Sequence, residues 1–151
     1  MDRSLLGHVL LVAATVAWLV YSLLDGPGEF TLDLLIALAG FGLAAWAARA
    51  DRPRFVGAGF LIAVLATVLF YDGDFTTGLA AYSGAVFAVG LAVAAVGAFA
   101  DRARVVALGM WASAAGATMW IYADGVEGIG WQPGNVLAAV GAALVALGQR
   151  D

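Results

Sequence analysis

The chain has 151 residues, of which 64% are hydrophobic and 12% are charged, and its mean hydropathy is +0.96. This composition leaves too few polar residues to cover a soluble domain, so it predicts an integral membrane protein. The absence of cysteine excludes disulfides, thiolate nucleophiles and cysteine-ligated metals. Eleven acidic residues against seven basic ones argue against nucleic-acid binding, which needs clustered positive charge. The acidic, lysine-free balance indicates a halophilic archaeal source.

Six apolar runs, free of charge except for Asp33 near the start of the second, are long enough to cross a bilayer as helices. A hydrocarbon core about 30 Å thick requires roughly 20 helical residues, because every backbone amide must find its partner within the helix. The predicted fold is therefore all-α, with six transmembrane helices in a single transmembrane domain, residues 1–151. The predicted spans are residues 5–24, 32–48, 55–71, 78–100, 105–123 and 133–148. The length of the first run favours a retained helix over a cleaved signal peptide.

The arginines fall on one side of this topology. Short turn-forming segments separate the spans, such as the type II turn predicted at Pro27 and Gly28, so neighbouring spans are expected to be antiparallel. The arginines lie near the termini or in the loops after spans two and four: Arg3, Arg49, Arg52, Arg54, Arg102, Arg104 and Arg150. The other three loops carry only acids: Asp25, Glu29, Asp33, Asp72, Asp74, Asp124 and Glu127. Because arginines in short loops stay cytoplasmic, we expect a multi-pass protein of the cell membrane with both termini in the cytoplasm.

Patterns that recur about every 50 residues predict three tandem helical-hairpin repeats, approximately residues 1–50, 51–101 and 102–151. Each odd span ends in Ala-Thr, an aromatic residue, Tyr and Asp-Gly, whereas spans two and four share Gly40 and Gly90 and finish in Ala-Asp-Arg. We expect the hairpins to pack about an approximate three-fold axis along the membrane normal. The number of repeats is similar to that of the mitochondrial carrier family, but the odd spans lack that family's Pro-x-acid-x-x-base signature, so the resemblance ends at the count.

The interiors of the predicted spans contain few side chains that could carry charge, bind a cofactor or catalyse a reaction. They carry no Asp, Glu, Lys or Arg at mid-depth, which argues against a proton-coupled pump, because such charges are costly and are usually retained for ion coupling. His8 is expected to bond to water, a headgroup or a carbonyl near the cytoplasmic face rather than to ligate a cofactor. The serines have no histidine or carboxylate at comparable depth. We therefore expect no catalytic, cofactor-binding or metal site and no enzymatic activity.

Small residues recur four positions apart on several spans, for example Gly90 and Ala94, and predict close helix contacts within the chain or between subunits. They are the expected contact faces for a homo-oligomer or a larger membrane complex, in addition to the lipid bilayer. The outer carboxylates are interpreted as a hydrated acidic surface rather than a cation site, because no loop has the spacing of calcium ligands. The aromatic residues at the outer ends of the spans are expected to anchor in the headgroup layer: Tyr21, Tyr71, Tyr122 and Trp131.

Two functions remain open on this evidence. The first is a membrane-embedded accessory or scaffold subunit that packs against itself or a larger complex. The alternative is a passive pore or facilitator for a small neutral solute or ion. In that alternative, Thr15, Thr67 and Thr118 would form one ring that lines the path, although each hydroxyl could instead bond the carbonyl four residues back and do nothing else.

The predicted orientation can be tested with single cysteines, because the chain has none of its own. Cysteines placed at Gly28, Thr76 and Gly128 should react with a membrane-impermeant thiol reagent applied from outside the cell. The reason is that short loops without arginine are translocated. Labelling of these three positions from the cytoplasmic side alone would show that the orientation is reversed.

Overall fold

A computed structural model describes residues 2–26, 28, 30–71 and 78–149. These residues form six α-helices and no β-strand, and all six helices are long and apolar enough to cross a membrane. The prediction of an all-α protein with six candidate membrane-spanning helices is confirmed, and this architecture indicates a multi-pass membrane protein. The helices are α1 (Arg3–Leu24), α2 (Phe30–Arg49), α3 (Pro53–Tyr71), α4 (Gly78–Phe99), α5 (Ala103–Asp124) and α6 (Gln132–Gly148).

The predicted helix ends agree better at the C-termini than at the N-termini. Helices α1, α3 and α6 end at the predicted residues, whereas α1, α2, α3 and α5 each begin two residues before the predicted start, as α3 does at Pro53 and α5 at Ala103. The first N–H groups of a helix have no carbonyl partner within it, so proline and polar residues fit the first turn and a count of apolar residues starts too late. Some residues with predicted roles lie outside the described ranges: Pro27, Glu29, Asp72, Asp74 and Arg150.

The six helices form a closed ring. Each packs against the helices before and after it, and α6 packs against α1, while no other pair of helices has backbones in contact within the described residues. Consecutive helices run in opposite directions, which gives the ring two ends. The arginine end carries Arg49, Arg52, Arg54, Arg102 and Arg104, and the acidic end carries Asp25, Asp33, Asp124 and Glu127.

Glycines bring helix backbones into contact at alternate interfaces around the ring. A Cβ atom on Gly40 of α2 would lie 2.7 Å from the carbonyl oxygen of Gly59 in α3, and one on Gly59 would lie 2.5 Å from the carbonyl oxygen of Gly40. Neither position has room for a side chain. The same reciprocal approach occurs between α4 and α5 and between α6 and α1, at Gly90 with Gly109 and at Gly141 with Gly7. Close backbone approach is how helices associate in lipid, where apolar surface alone gives no driving force.

The two Ala-Asp-Arg segments form identical turns at the arginine end. Asp51 and Asp101 both adopt left-handed backbone conformations, with φ of 52° and 53°. In each turn the amide of the following arginine donates to the carbonyl five residues before it, at 2.9 and 2.8 Å. This hydrogen bond closes the end of a helix, and aspartate is among the few non-glycine residues that tolerate the left-handed position. The repeated charges therefore belong to repeated helix-ending turns.

The outside of the ring is apolar along the helices. Leu65, Val89 and Leu108 are each more than half exposed in the isolated chain. A surface of this kind suits lipid and would be a liability in water. At the arginine end, the Arg52 guanidinium lies 5.5 Å from the centre of the Trp46 ring, where a cation on an aromatic face suits the membrane boundary.

The glycine contacts predict a position-specific response to a single methyl group. Gly40→Ala should lower the free energy of unfolding by about 1–3 kcal/mol, because the new Cβ must push α3 away from α2. Gly42→Ala is the matched control in the same helix, since no atom of another helix lies within 4 Å of its Cβ position. Thermal unfolding in detergent would measure both, and equal stability of the two variants would contradict the close contact.

Candidate functional site

A cavity of about 270 Å³ lies inside the ring at the acidic end. All six helices contribute side chains to it, so the cavity lies between the helices rather than between protein and lipid. Aromatic residues dominate its wall, and two carboxylates and an amide are the main polar groups. The lining residues are Trp18, Phe30, Asp33, Leu34, Ala37, Phe41, Ala66, Thr67, Phe70, Ala80, Phe87, Trp120, Asp124, Trp131 and Asn135.

Aromatic side chains meet across the interior of the ring and form the wall of the cavity. The Phe87 ring lies 4.8 Å from Trp120 and 6.5 Å from Phe41 between ring centres, and Trp18 packs edge-on against Trp120 at 5.6 Å. Helices α2 and α4 are not neighbours in the ring, and neither are α1 and α5. These contacts therefore hold the interior together where the backbones are too far apart to touch.

A hydrogen-bonded chain of three side chains joins α1, α6 and α5 beside the cavity. The Trp18 indole N–H donates to Asn135 Oδ1 at 3.1 Å, and Asn135 Nδ2 donates to Asp124 Oδ2 at 2.6 Å. Because an indole N–H only donates, the orientation of the amide is fixed and its NH₂ group must face the carboxylate. Asn135 is 3% exposed, so each of these bonds satisfies a group that is shielded from water.

The start of α6 is positioned by side-chain contacts to α5 and α1. Gln132 Nε2 donates to the carbonyl oxygens of Ile121 and Gly125 at 2.9 and 3.0 Å, which ties the first turn of α6 to the end of α5. Gly134 lies against the Trp18 indole, and a Cβ atom there would collide with the ring. The absence of a side chain at this position lets Trp18 reach the amide of Asn135.

A second cavity, of about 780 Å³, lies inside the ring at the arginine end. All six helices again contribute to its lining, together with both Ala-Asp-Arg turns. His8 also lines it, and its Nδ1 donates to the Ser4 carbonyl oxygen at 2.7 Å while Nε2 has no hydrogen-bond partner. The imidazole stacks on Phe60, with ring centres 5.7 Å apart. The structure therefore places His8 in the interior of the ring, bonded to a carbonyl one turn earlier.

An apolar layer separates the two cavities. Leu11, Phe60, Leu91 and Met110 are each at most 1% exposed, and none of them lines either cavity. Each lies between the residues of its own helix that line the two cavities. In α1 the lining residues of the two cavities are ten positions apart, which corresponds to about 15 Å along the helix axis. The ring is closed at its middle by packed side chains.

The three threonines of the predicted ring have different surroundings. Their hydroxyls all donate to the carbonyl four residues back, at 2.9, 2.9 and 2.8 Å for Thr15, Thr67 and Thr118. Thr15 is fully buried, Thr67 lines the acidic-end cavity, and Thr118 is exposed and lines neither cavity. The structure does not bring the three hydroxyls to one cavity, and a path lined by all of them stays a prediction.

Sequence reasoning missed most of the cavity. Asn135 lies in the sixth predicted span, and an amide in an apolar span was the available signal. The sequence does not identify Trp18, Phe87 and Trp120 as lining residues, because aromatic residues are common in apolar helices. A single sequence does not show which of them face inward. Asp124 was interpreted only as part of an acidic surface.

Comparison of the chain with family models, with curated proteins and with solved structures found no match.

The different surroundings of neighbouring residues predict a contrast in accessibility. Thr67→Cys should react with a small water-soluble methanethiosulfonate reagent applied at the acidic end, because the side chain lines the cavity. Val68→Cys should be protected by lipid, since Val68 is 44% exposed and lines neither cavity. Rates of modification in proteoliposomes would measure the difference, and equal rates would mean that water does not enter the cavity.

Proposed function

We propose that the protein is a membrane-embedded facilitator that passes a small solute through the interior of its six-helix ring. The supporting observation is that two cavities lie at opposite ends of the ring and that all six helices line both of them. A path that joins them would run inside the ring and would not require a partner chain.

The path is closed in the conformation described here, so passage requires movement of side chains in the middle of the ring. Two interior contacts are suited to this role. His8 and Phe60 stack face to face beside the arginine-end cavity, and Phe41 and Phe87 meet edge-on at the acidic-end cavity. Rotation of these flat rings, together with movement of Leu11, Leu91 and Met110 in the apolar layer, would open a gap without separating the glycine-packed backbones. The proposal is therefore a gated facilitator for a small solute or ion rather than an open pore.

The second candidate is the accessory or scaffold subunit. Its support in the sequence was the set of small-residue faces, and the glycines of those faces contact other helices of the same chain. Large apolar residues are left on the outside, and they suit lipid as well as a protein partner. Purification from native membranes in a mild detergent would distinguish the two candidates, because a subunit would carry a stoichiometric partner and a facilitator would be active alone. Neither candidate includes an enzymatic reaction or a cofactor.

The proposal extends to the arrangement of the chain in the membrane. The arginine end is assigned to the cytoplasm, and the acidic, lysine-free composition supports a halophilic archaeal source. The three glycine pairs, about 50 residues apart in sequence, support three hairpins related by an approximate three-fold axis. An experimental structure in which the three pairs do not superpose by rotation about one axis would contradict the repeat.

Flux measurements test the proposed function directly. Proteoliposomes that contain the purified protein should take up small neutral solutes or small organic cations faster than empty liposomes. Thr67→Trp should abolish this flux by filling the acidic-end cavity, whereas Val68→Trp, on the adjacent lipid-exposed position, should retain it. Flux at the level of empty liposomes for every solute would contradict the facilitator and favour the accessory subunit.

A further inference from the structure

The acidic-end cavity combines a carboxylate with an aromatic wall, a pairing that a purely structural interior does not need. Seven of its lining residues are aromatic and two are aspartates, and none of the described residues that line it is Lys, Arg or His. The face of an aromatic ring carries negative potential and attracts cations, and a carboxylate supplies a full negative charge. Both features favour the same class of ligand.

We infer that the acidic-end cavity is a binding site for a small organic cation of the alkylated ammonium class. The aromatic faces would contact the alkyl groups, and Asp124 would balance the charge. This inference rests on the proposed function, because it names the class of solute that the ring admits. It also changes the interpretation of Asp124 from part of a hydrated surface to a ligand-facing group.

The carboxylate of Asp124 is held in place for this role. Asn135 Nδ2 donates to it at 2.6 Å, and Asn135 is itself held by the Trp18 indole N–H. A neutral amide leaves the negative charge in place while it limits rotation of the carboxylate. This hydrogen-bonded chain thus positions both the Asp124 carboxylate and the Trp18 ring. Less side-chain entropy would therefore be lost when a ligand binds.

The size and polarity of the cavity select among cations. Its volume of about 270 Å³ lies just below the roughly 300–1,000 Å³ of pockets for drug-sized ligands, so the ligand is small. A metal ion would need several oxygen or nitrogen ligands, and the described residues contain no group of three or more His, Cys, Asp or Glu side chains that could hold one. An ammonium group with alkyl substituents needs one counter-charge and an apolar wall, and the cavity provides both.

The distribution of charge along the ring favours entry of a cation at this end. The arginines of the described chain lie at the other end of the helices, while Asp25 and Glu127 add negative charge at the acidic end. Clustered charge of one sign raises the local concentration of the opposite ion. Anions would meet repulsion both at the entrance and at Asp124.

Choline and its neutral carbon isostere 3,3-dimethylbutan-1-ol provide a direct test on the unmodified protein. Calorimetric titration in detergent or nanodiscs should show saturable binding of choline and at least tenfold weaker binding of the isostere, because the two differ mainly in charge. Tryptophan fluorescence gives a second readout, since Trp18, Trp120 and Trp131 line the cavity. Equal binding of the two compounds, or no saturable binding of choline, would overturn the inference.

Two pairs of variants locate the binding site. Asp124→Asn should weaken choline binding at least tenfold while an oxygen still accepts from Asn135, and Glu127→Gln, at the same end but outside the cavity, should not. Phe87→Leu should weaken binding by roughly 2- to 30-fold through loss of the aromatic face, with the exposed Phe55→Leu as control. Thermal unfolding would check that each variant is folded. Unchanged choline affinity in folded Asp124→Asn protein would overturn the inference.

Binding and flux measurements separate this inference from the proposed function. Choline binding without flux of any solute would keep the cation site and reject the facilitator. Flux of a neutral solute without choline binding would keep the facilitator and reject the cation site.

Discussion

Contact between glycine backbones at alternate interfaces is the constraint on which the ring depends. In lipid, two apolar helix faces gain little by leaving their surroundings, so association relies on close packing. Gly40 and Gly59 show how this works, because each occupies the space that the other's side chain would need. Three such contacts fix the distances within three pairs of helices. They also use the small residues that would otherwise be available for contacts with another protein.

A ring held at its backbone interfaces must still fill its interior, and large side chains do this. Phe41 with Phe87, and Trp18 with Trp120, reach across between helices whose backbones do not touch. At the acidic end these flat rings leave a cavity between them, whereas the arginine-end cavity is lined mostly by small, polar and charged residues. In the middle, buried side chains such as Leu11 separate the two cavities.

The sequence predicts the helices well and the cavity poorly, for one physical reason. A membrane span must satisfy all its backbone hydrogen bonds internally, so its position follows from local apolarity, and the ends at Leu24 and Gly148 were predicted correctly. The direction in which Trp18 or Phe87 points depends on its neighbours. Helices that are apolar on every face, facing lipid on one side and a packed interior on the other, carry no amphipathic pattern to reveal it. Asn135 carried a signal that the sequence analysis did not use, because a buried amide must find partners.

The separation of charge along the ring links the proposed orientation to the proposed selectivity. The proposed orientation rests on the arginines in two helix-ending turns, because the positive-inside rule counts positive residues only. The opposite end is then free to accumulate carboxylates at no cost to topology. Where one of them, Asp124, is drawn inward by Asn135, it lies beside aromatic faces rather than in bulk water. Its attraction for a cation is screened less there than on the surface, so the separation of charge that underlies the proposed orientation also supports the proposed preference of the cavity for positive charge.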